Sequence, residues 1–193
     1  MSDVYVSDQN YNHLVFAEFP LEQGEYENCV FKNCNFEYAD FFGFKFNDCE
    51  FIECNLSMTK LAGTAFREVI FKDCKLFGMP FNDCNEFGMS FRFDGCALNN
   101  SVFYKTSIKK TIFKNSKLIE VDFVECDLAN SAFSNCDFSG ATFDRTNLEK
   151  TDFRTSFNYT INPESNRLKK AKFSLSEIHG LLRQYDIEID KNS

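Results

Sequence analysis

The chain of 193 residues has no tryptophan, three prolines, two histidines and eight glycines. Each scarcity removes a class of function. A nucleophile needs a base within reach, and a metal centre needs several converging ligands. His13 and His179 stand near opposite ends of the chain without a histidine partner, and there is no Cys-x-x-Cys pair and no glycine-rich phosphate loop. No catalytic residue, cofactor or metal is therefore expected. No stretch approaches the roughly 20 consecutive apolar residues that span a bilayer, so no membrane association is expected. The first residues, MSDVYVSDQN, have neither the basic start nor the apolar run of a signal peptide, so a cytoplasmic location is expected.

What the sequence does have is phenylalanine, 25 of them, and nine cysteines. The large apolar residues recur at every fifth position from Phe16 through Leu21, Tyr26, Phe31 and Phe36 to Phe81. The register slips by two and resumes from Phe93 through Leu98, Phe103 and Ile108 to Phe153. Two places before most of them sits a small or medium residue, so the unit is small-x-large-x-x. A period of five fits neither the 3.6 of an α-helix nor the 2 of a strand. It fits a coil whose wall bends at each unit, so that four units close one square turn and stacked turns pair like parallel strands. At 20 residues per turn, and 22 across the slip, one column reads Phe31, Phe51, Phe71, Phe93, Phe113, Phe133 and Phe153.

This pattern, over roughly residues 14 to 157, resembles the pentapeptide-repeat family, whose motif is usually written A(D/N)Lxx. The resemblance implies an all-β protein, a right-handed quadrilateral β-helix. We divide the chain into a cap segment over residues 1–13, the coil over 14–157, and a capping or dimerisation segment over 158–193.

The slip lies in MPFNDCNEFGMSFRFDGC. An unbroken repeat would turn Glu86 inward, where an unpaired carboxylate is costly. The expectation is a bulge that substitutes Phe87 for it, and a second between Gly88 and Phe91. Such a slip either projects a binding loop or merely joins two halves. Beyond Phe153, Ser174 with Glu177 reads as a capping box, and Leu175, Ile178, Leu181, Leu182 and Tyr185 share one face of a short C-terminal α-helix. Ile187 and Ile189 alternate behind it as a strand. These seven apolar residues would seal the last turn or pair with a second copy. The ending resembles that of the quinolone-resistance (Qnr-type) and microcin-immunity proteins, which implies a homodimer through this segment.

The charge is uneven. Residues 1–97 hold 16 Asp/Glu against 7 Lys/Arg, a net −9, while residues 98–157 are balanced at 8 and 8. That acidity disfavours nucleic acid and favours a basic partner, unless it serves solubility alone. Asp48, Glu53, Glu68, Asp73 and Asp83 take the last place of their units, so Asp48 stacks over Glu68 and Glu53 over Asp73, ladders of like charge that cost stability unless Lys32, Arg67 and Lys72 screen them. The Qnr-type resemblance implies that such a rod is a DNA mimic binding a type II topoisomerase, DNA gyrase or topoisomerase IV, and modulating quinolone or toxin sensitivity. The plasmid-borne members carry two sizeable loops; here only the slip at residues 83–93 is available. A structural scaffold with another protein partner is the alternative. An ice- or carbohydrate-binding face would need a regular threonine or aromatic array, which is missing.

All nine cysteines occupy the small position, with Cys34, Cys54, Cys74 and Cys96 in one column and Cys29 and Cys49 in another. The same slots elsewhere hold Ala, Ser, Thr and Val. The count is odd, so the reading is free thiols acting as small fillers, not a disulfide framework.

Overall fold

The computed structural model describes residues 4–190. Eleven short strands build it: β1 (Val4–Ser7), β2 (Asn10–Asn12), β3 (Gly24–Glu27), β4 (Val30–Lys32), β5 (Lys45–Asn47), β6 (Glu50–Ile52), β7 (Ala65–Arg67), β8 (Val69–Lys72), β9 (Phe91–Asp94), β10 (Ile112–Lys114) and β11 (Ala132–Ser134). Every pairing is parallel. One wall is the sheet β1-β3-β5-β7, and the next is β2-β4-β6-β8-β9-β10-β11. The other two walls carry single parallel bridges, such as Asn35 to Asn55 and Val102 to Asp122. The molecule is a right-handed quadrilateral β-helix.

The register is the one the repeat dictates. Phe31 pairs with Phe51 and Phe51 with Phe71, 20 residues on, and Phe71 pairs with Phe93, 22 residues on. Inside, the rings form an unbroken stack. Tyr11, Phe31, Phe51 and Phe71 lie 4.8–5.2 Å apart in sequence, with interplanar angles of 6–17°. Phe93, Phe113, Phe133, Phe153 and Phe173 continue it at 4.8–5.4 Å. Ring spacing equals strand spacing because each ring hangs from one rung of the ladder. Each fully buried Phe contributes about 1.5–3 kcal/mol, so the column is the main stabiliser. The stack begins on β2 and ends at Phe173, and Asn147 still bridges Arg167, so the coil extends past both ends of the 14–157 span.

Two local devices turn the corners. At the place before the large residue, an Asn or Asp oxygen accepts the N–H two residues on, as Asn35 does from Glu37 (3.1 Å) and Asp122 from Val124 (2.8 Å). At the last place of many units the backbone is left-handed, with φ of 52–54° at Asn33, Asp48, Glu53, Glu68 and Asp73. Asn, Asp and Gly tolerate that region best. Part of the polar and acidic pattern thus has a backbone cause.

The small position does more than leave room. Its hydroxyl or thiol donates to a carbonyl one turn back: Thr59 Oγ1 to Phe36 O (2.9 Å), Ser156 Oγ to Phe133 O (3.0 Å) and Cys74 Sγ to Phe51 O (3.2 Å). This is why Cys, Ser and Thr interchange there. All nine cysteines are free and buried. Burial pushes the thiols of Cys49 and Cys126 up to about 12 and that of Cys136 up to about 11.

The C-terminal α-helix does not form. Instead, two 3-10 turns cover Ile178–Leu181 and Arg183–Tyr185. The capping box fails as well: Ser174 Oγ meets Ser176 Oγ (3.1 Å), and a Glu177 carboxylate oxygen accepts the Asn158 N–H (3.3 Å). Residues 186–190 form no strand. The physical reason is Gly180, whose carbonyl accepts the Ile161 N–H (3.0 Å) and whose Cα leaves no room for a Cβ, which would sit 2.2 Å from Tyr159 O. Docking the segment there satisfies the last wall directly and breaks the helical period.

Candidate partner-binding surface

The corners between walls define the outer surface. The corner between the β1-β3-β5-β7 wall and the β2-β4-β6-β8 wall carries Asp8, Asn28, Asp48 and Glu68; the next corner carries His13, Asn33, Glu53 and Asp73. All of these but Asn33 are exposed. The structure thus brings Asp48 over Glu68 and Glu53 over Asp73. Asp83 joins neither ladder: it ends a 3-10 turn (Phe81–Asp83) at a third corner, where the Asn82 side chain donates to it (2.8 Å).

Screening of these ladders by neighbouring cations is not there. Among the described residues, Lys32 and Lys72 pair with none of these carboxylates. Arg67 is occupied elsewhere, donating to Asn47 Oδ1 (3.1 Å) and Phe87 O (3.1 Å). Glu68 accepts from Ser90 Oγ (3.0 Å). On the neighbouring wall of the acidic half, Lys45 pairs with Glu25 (3.8 Å). Past the slip the charges are knitted together along the stack. Glu125 takes Lys105 (3.6 Å) and Arg145 (3.0 Å), Asp152 takes Arg154 (2.8 Å) and Lys172 (3.7 Å), and Glu149 takes Arg167 (2.8 Å). Hydrogen bonding from Arg145 holds the Glu125 carboxyl below its usual range, and Arg154 does the same for Asp152. The two acidic corners therefore present carboxylates without cations. Two such charges one rung apart repel by about 0.9 kcal/mol in water, a modest cost that a cationic partner relieves.

Phe87 corrects a further expectation. It is 80% exposed, not inward; Met89 and Phe91 fill the interior while Glu86 also faces solvent. Asn85 still bonds Thr64 in the ordinary register, so the two extra residues fall within 86–90. The Phe87 ring lies against the Arg67 guanidinium, 5.8 Å from its centroid, and Asn85 Oδ1 accepts the Phe87 N–H (2.9 Å). A short, fixed loop thus holds an aromatic outward beside Glu68. Other exposed apolar side chains lie across the rod, where Tyr38 and Met58 stack at one corner and Phe77 sits on the next rung, its carbonyl accepting the Met58 N–H (2.8 Å). Sequence reasoning missed these because they sit at outward places that the five-residue pattern leaves unconstrained.

Of the seven residues expected at a dimer contact, Leu181 packs against the core and Leu182 and Ile178 are half-buried. Leu175, Tyr185, Ile187 and Ile189 are exposed, and the Tyr185 hydroxyl donates to Glu164 (2.9 Å). Leu175, Ile178 and Ile189 line a groove of about 710 Å³. Among the described residues no helix is long and apolar enough to cross a membrane, and no group of three or more His, Cys, Asp or Glu is placed to hold a metal.

A family profile described as "Pentapeptide repeat region" matches residues 24–92 and 89–158. The chain belongs to the pentapeptide-repeat family. Its fold is similar to that of full-length QnrB1, a plasmid-mediated fluoroquinolone resistance protein, at a TM-score of 0.56 and 17% identity over 95% of this chain and 100% of that one. HetL of Nostoc sp. strain PCC 7120, a pentapeptide repeat protein involved in heterocyst differentiation regulation, matches at a TM-score of 0.33 and 13% identity, over 88% of this chain and 87% of its own. No curated protein matches the chain in sequence. At 17% identity the likeness to QnrB1 is one of fold.

Proposed function

We propose that this pentapeptide-repeat chain is a non-enzymatic binding protein whose acidic edges imitate the phosphates of a DNA duplex, and that its target is a type II topoisomerase, DNA gyrase or topoisomerase IV. The observation that carries the reading is the pair of ladders Asp48/Glu68 and Glu53/Asp73, exposed and without cationic partners. Regular negative charge on neighbouring corners of a rod suits a surface built to hold a polyanion. Modulation of quinolone or gyrase-toxin sensitivity would follow from occupying that surface. The reading places the chain in the cytoplasm with its target. Exposed Leu175, Ile187 and Ile189 support a homodimer through the C-terminal segment.

The test is a supercoiling assay with purified gyrase, with and without quinolone, over a titration of this protein. Inhibition or protection at about micromolar protein is expected, an affinity near −8 kcal/mol. Neither effect, together with no topoisomerase in pull-downs, removes the proposal. Asp48→Lys, Glu53→Lys, Glu68→Lys and Asp73→Lys combined should abolish binding with the β signature unchanged; unaltered binding would show that charge mimicry is not the mechanism. The cluster of Tyr38, Met58 and Phe77 supports the second reading, a scaffold for another protein, and Met58→Asp with Phe77→Asp would then remove capture while leaving gyrase unaffected.

A further inference from the structure

The corner that bears Asp48 and Glu68 changes sign along the rod. Above the slip its rungs are Asp8, Asn28, Asp48 and Glu68; below it they are Lys110, Asn130, Lys150 and Lys170. Ser90 occupies the rung between, for its carbonyl accepts the Val69 N–H (3.2 Å) and its Oγ the Glu68 N–H (2.7 Å). All but Ser90 are exposed, and the four lower residues form no ion pair among the described residues. The parallel register from Val69 to Phe91 carries the stack through the slip, so the rungs are evenly spaced on both sides.

Four rungs above the centre and four below make the column complementary to itself when reversed. Lay a second copy antiparallel along this corner with a two-fold axis at Ser90. Asp8 then faces Lys170 of the other copy and Glu68 faces its Lys110, while Asn28 meets Lys150 and Asp48 meets Asn130. The two-fold repeats each contact, giving four ion pairs and four charge-to-amide contacts with no like charges opposed in this column. Phe87 lies on the central rung beside the axis, 80% exposed and fixed by Arg67, so that it meets its own mate. An aromatic at the centre with charges outward is the anatomy of a specific interface.

We propose that this corner is a self-association surface whose partner is a second copy of the chain, lying antiparallel beside the first with Phe87 at the axis. It is independent of the topoisomerase reading and differs from pairing through the C-terminal segment. Because it uses Asp48 and Glu68, it hides the acidic ladder in the associated form and frees it on dissociation. Surface ion pairs are individually weak and screened by salt, so the association is reversible and governed by ionic strength.

Sedimentation velocity of the full chain tests it. Between about 0.02 M and 0.5 M NaCl the dissociation constant should rise at least about tenfold, because the Debye length shrinks below the rung spacing. Glu68→Lys alone and Lys110→Glu alone should each weaken association at low salt, since each opposes like charges twice. Mixing the two variants should restore it. The introduced lysine of one variant then faces the introduced glutamate of the other, and across the axis the unaltered Lys110 faces the unaltered Glu68. A contact through the C-terminal segment is common to every sample and leaves these differences intact. A monomer at low salt, an association indifferent to salt, or a mixture no tighter than either variant alone overturns the proposal. Gyrase activity is not a readout here, so failure of one reading leaves the other standing.

Discussion

Raising the pH should unfold this protein well before ordinary surface groups explain it, through its buried thiols. An unfolded cysteine ionises near 9, whereas burial raises Cys49 and Cys126 to about 12 and Cys136 to about 11. The sign follows from linkage. Above pH 9 the unfolded chain gives up protons that the folded chain keeps, so stability is fully present below 9 and declines as pH rises toward 11 or 12. At pH 10 each thiol forfeits about 1.4 kcal/mol relative to neutral pH, and the three together about 4 kcal/mol, a large share of the 5–15 kcal/mol typical of a domain. The assay is urea unfolding followed by circular dichroism at pH 8 and pH 10, under reducing conditions. Serine at these three positions fills the same slot but cannot ionise, so Cys49→Ser/Cys126→Ser/Cys136→Ser should recover about 4 kcal/mol of the loss and leave the part due to Cys34, Cys54, Cys74 and Cys84, whose thiols are raised as well. Equal stability of the native chain at both pH values, or an equal loss in the serine variant, would refute the reasoning.

Other outcomes follow from the same structure. Phe113→Ala interrupts the ring stack between Phe93 and Phe133 and should cost about 3–5 kcal/mol, read as a lower urea midpoint, with the far-UV spectrum retained. Gly180→Ala should undock the C-terminal segment, because its Cβ would meet Tyr159 O at 2.2 Å; faster proteolysis after residue 173 with an intact coil is the expected result. Charge reversal at Asp48, Glu53, Glu68 and Asp73 should leave the thermal midpoint within a few degrees, since lysine already occupies the left-handed corners at Lys105, Lys110, Lys150 and Lys170. A midpoint lowered by much more would show that the carboxylates are structural.

The coil was legible in the sequence because its determinants are local and repeated. A large residue every fifth position admits one register, and the stacking of Phe31 on Phe51 or Phe113 on Phe133 follows from counting. The same count placed Asp48 over Glu68. The chain's ends and the slip were not legible, for there the period lapses and distant contacts take over. Ser174 and Glu177 satisfy a capping rule, yet the docking of Gly180 against Tyr159 outweighs the few hydrogen bonds of a short helix. Phe87 obeys the preference of large apolar residues for the interior until Met89 and Phe91 take that space and Arg67 offers the ring a face outside.

Sequence alone determined the architecture, the contents of the core outside the slip and the free state of the thiols, since one backbone geometry repeats at every turn. Only the tertiary structure decided which charges are neutralised and which stand alone. Pairing along the rod depends on what lies 20 or 22 residues away and on where each side chain reaches. Glu125 thereby acquires two cations while Asp48 and Glu53 have none.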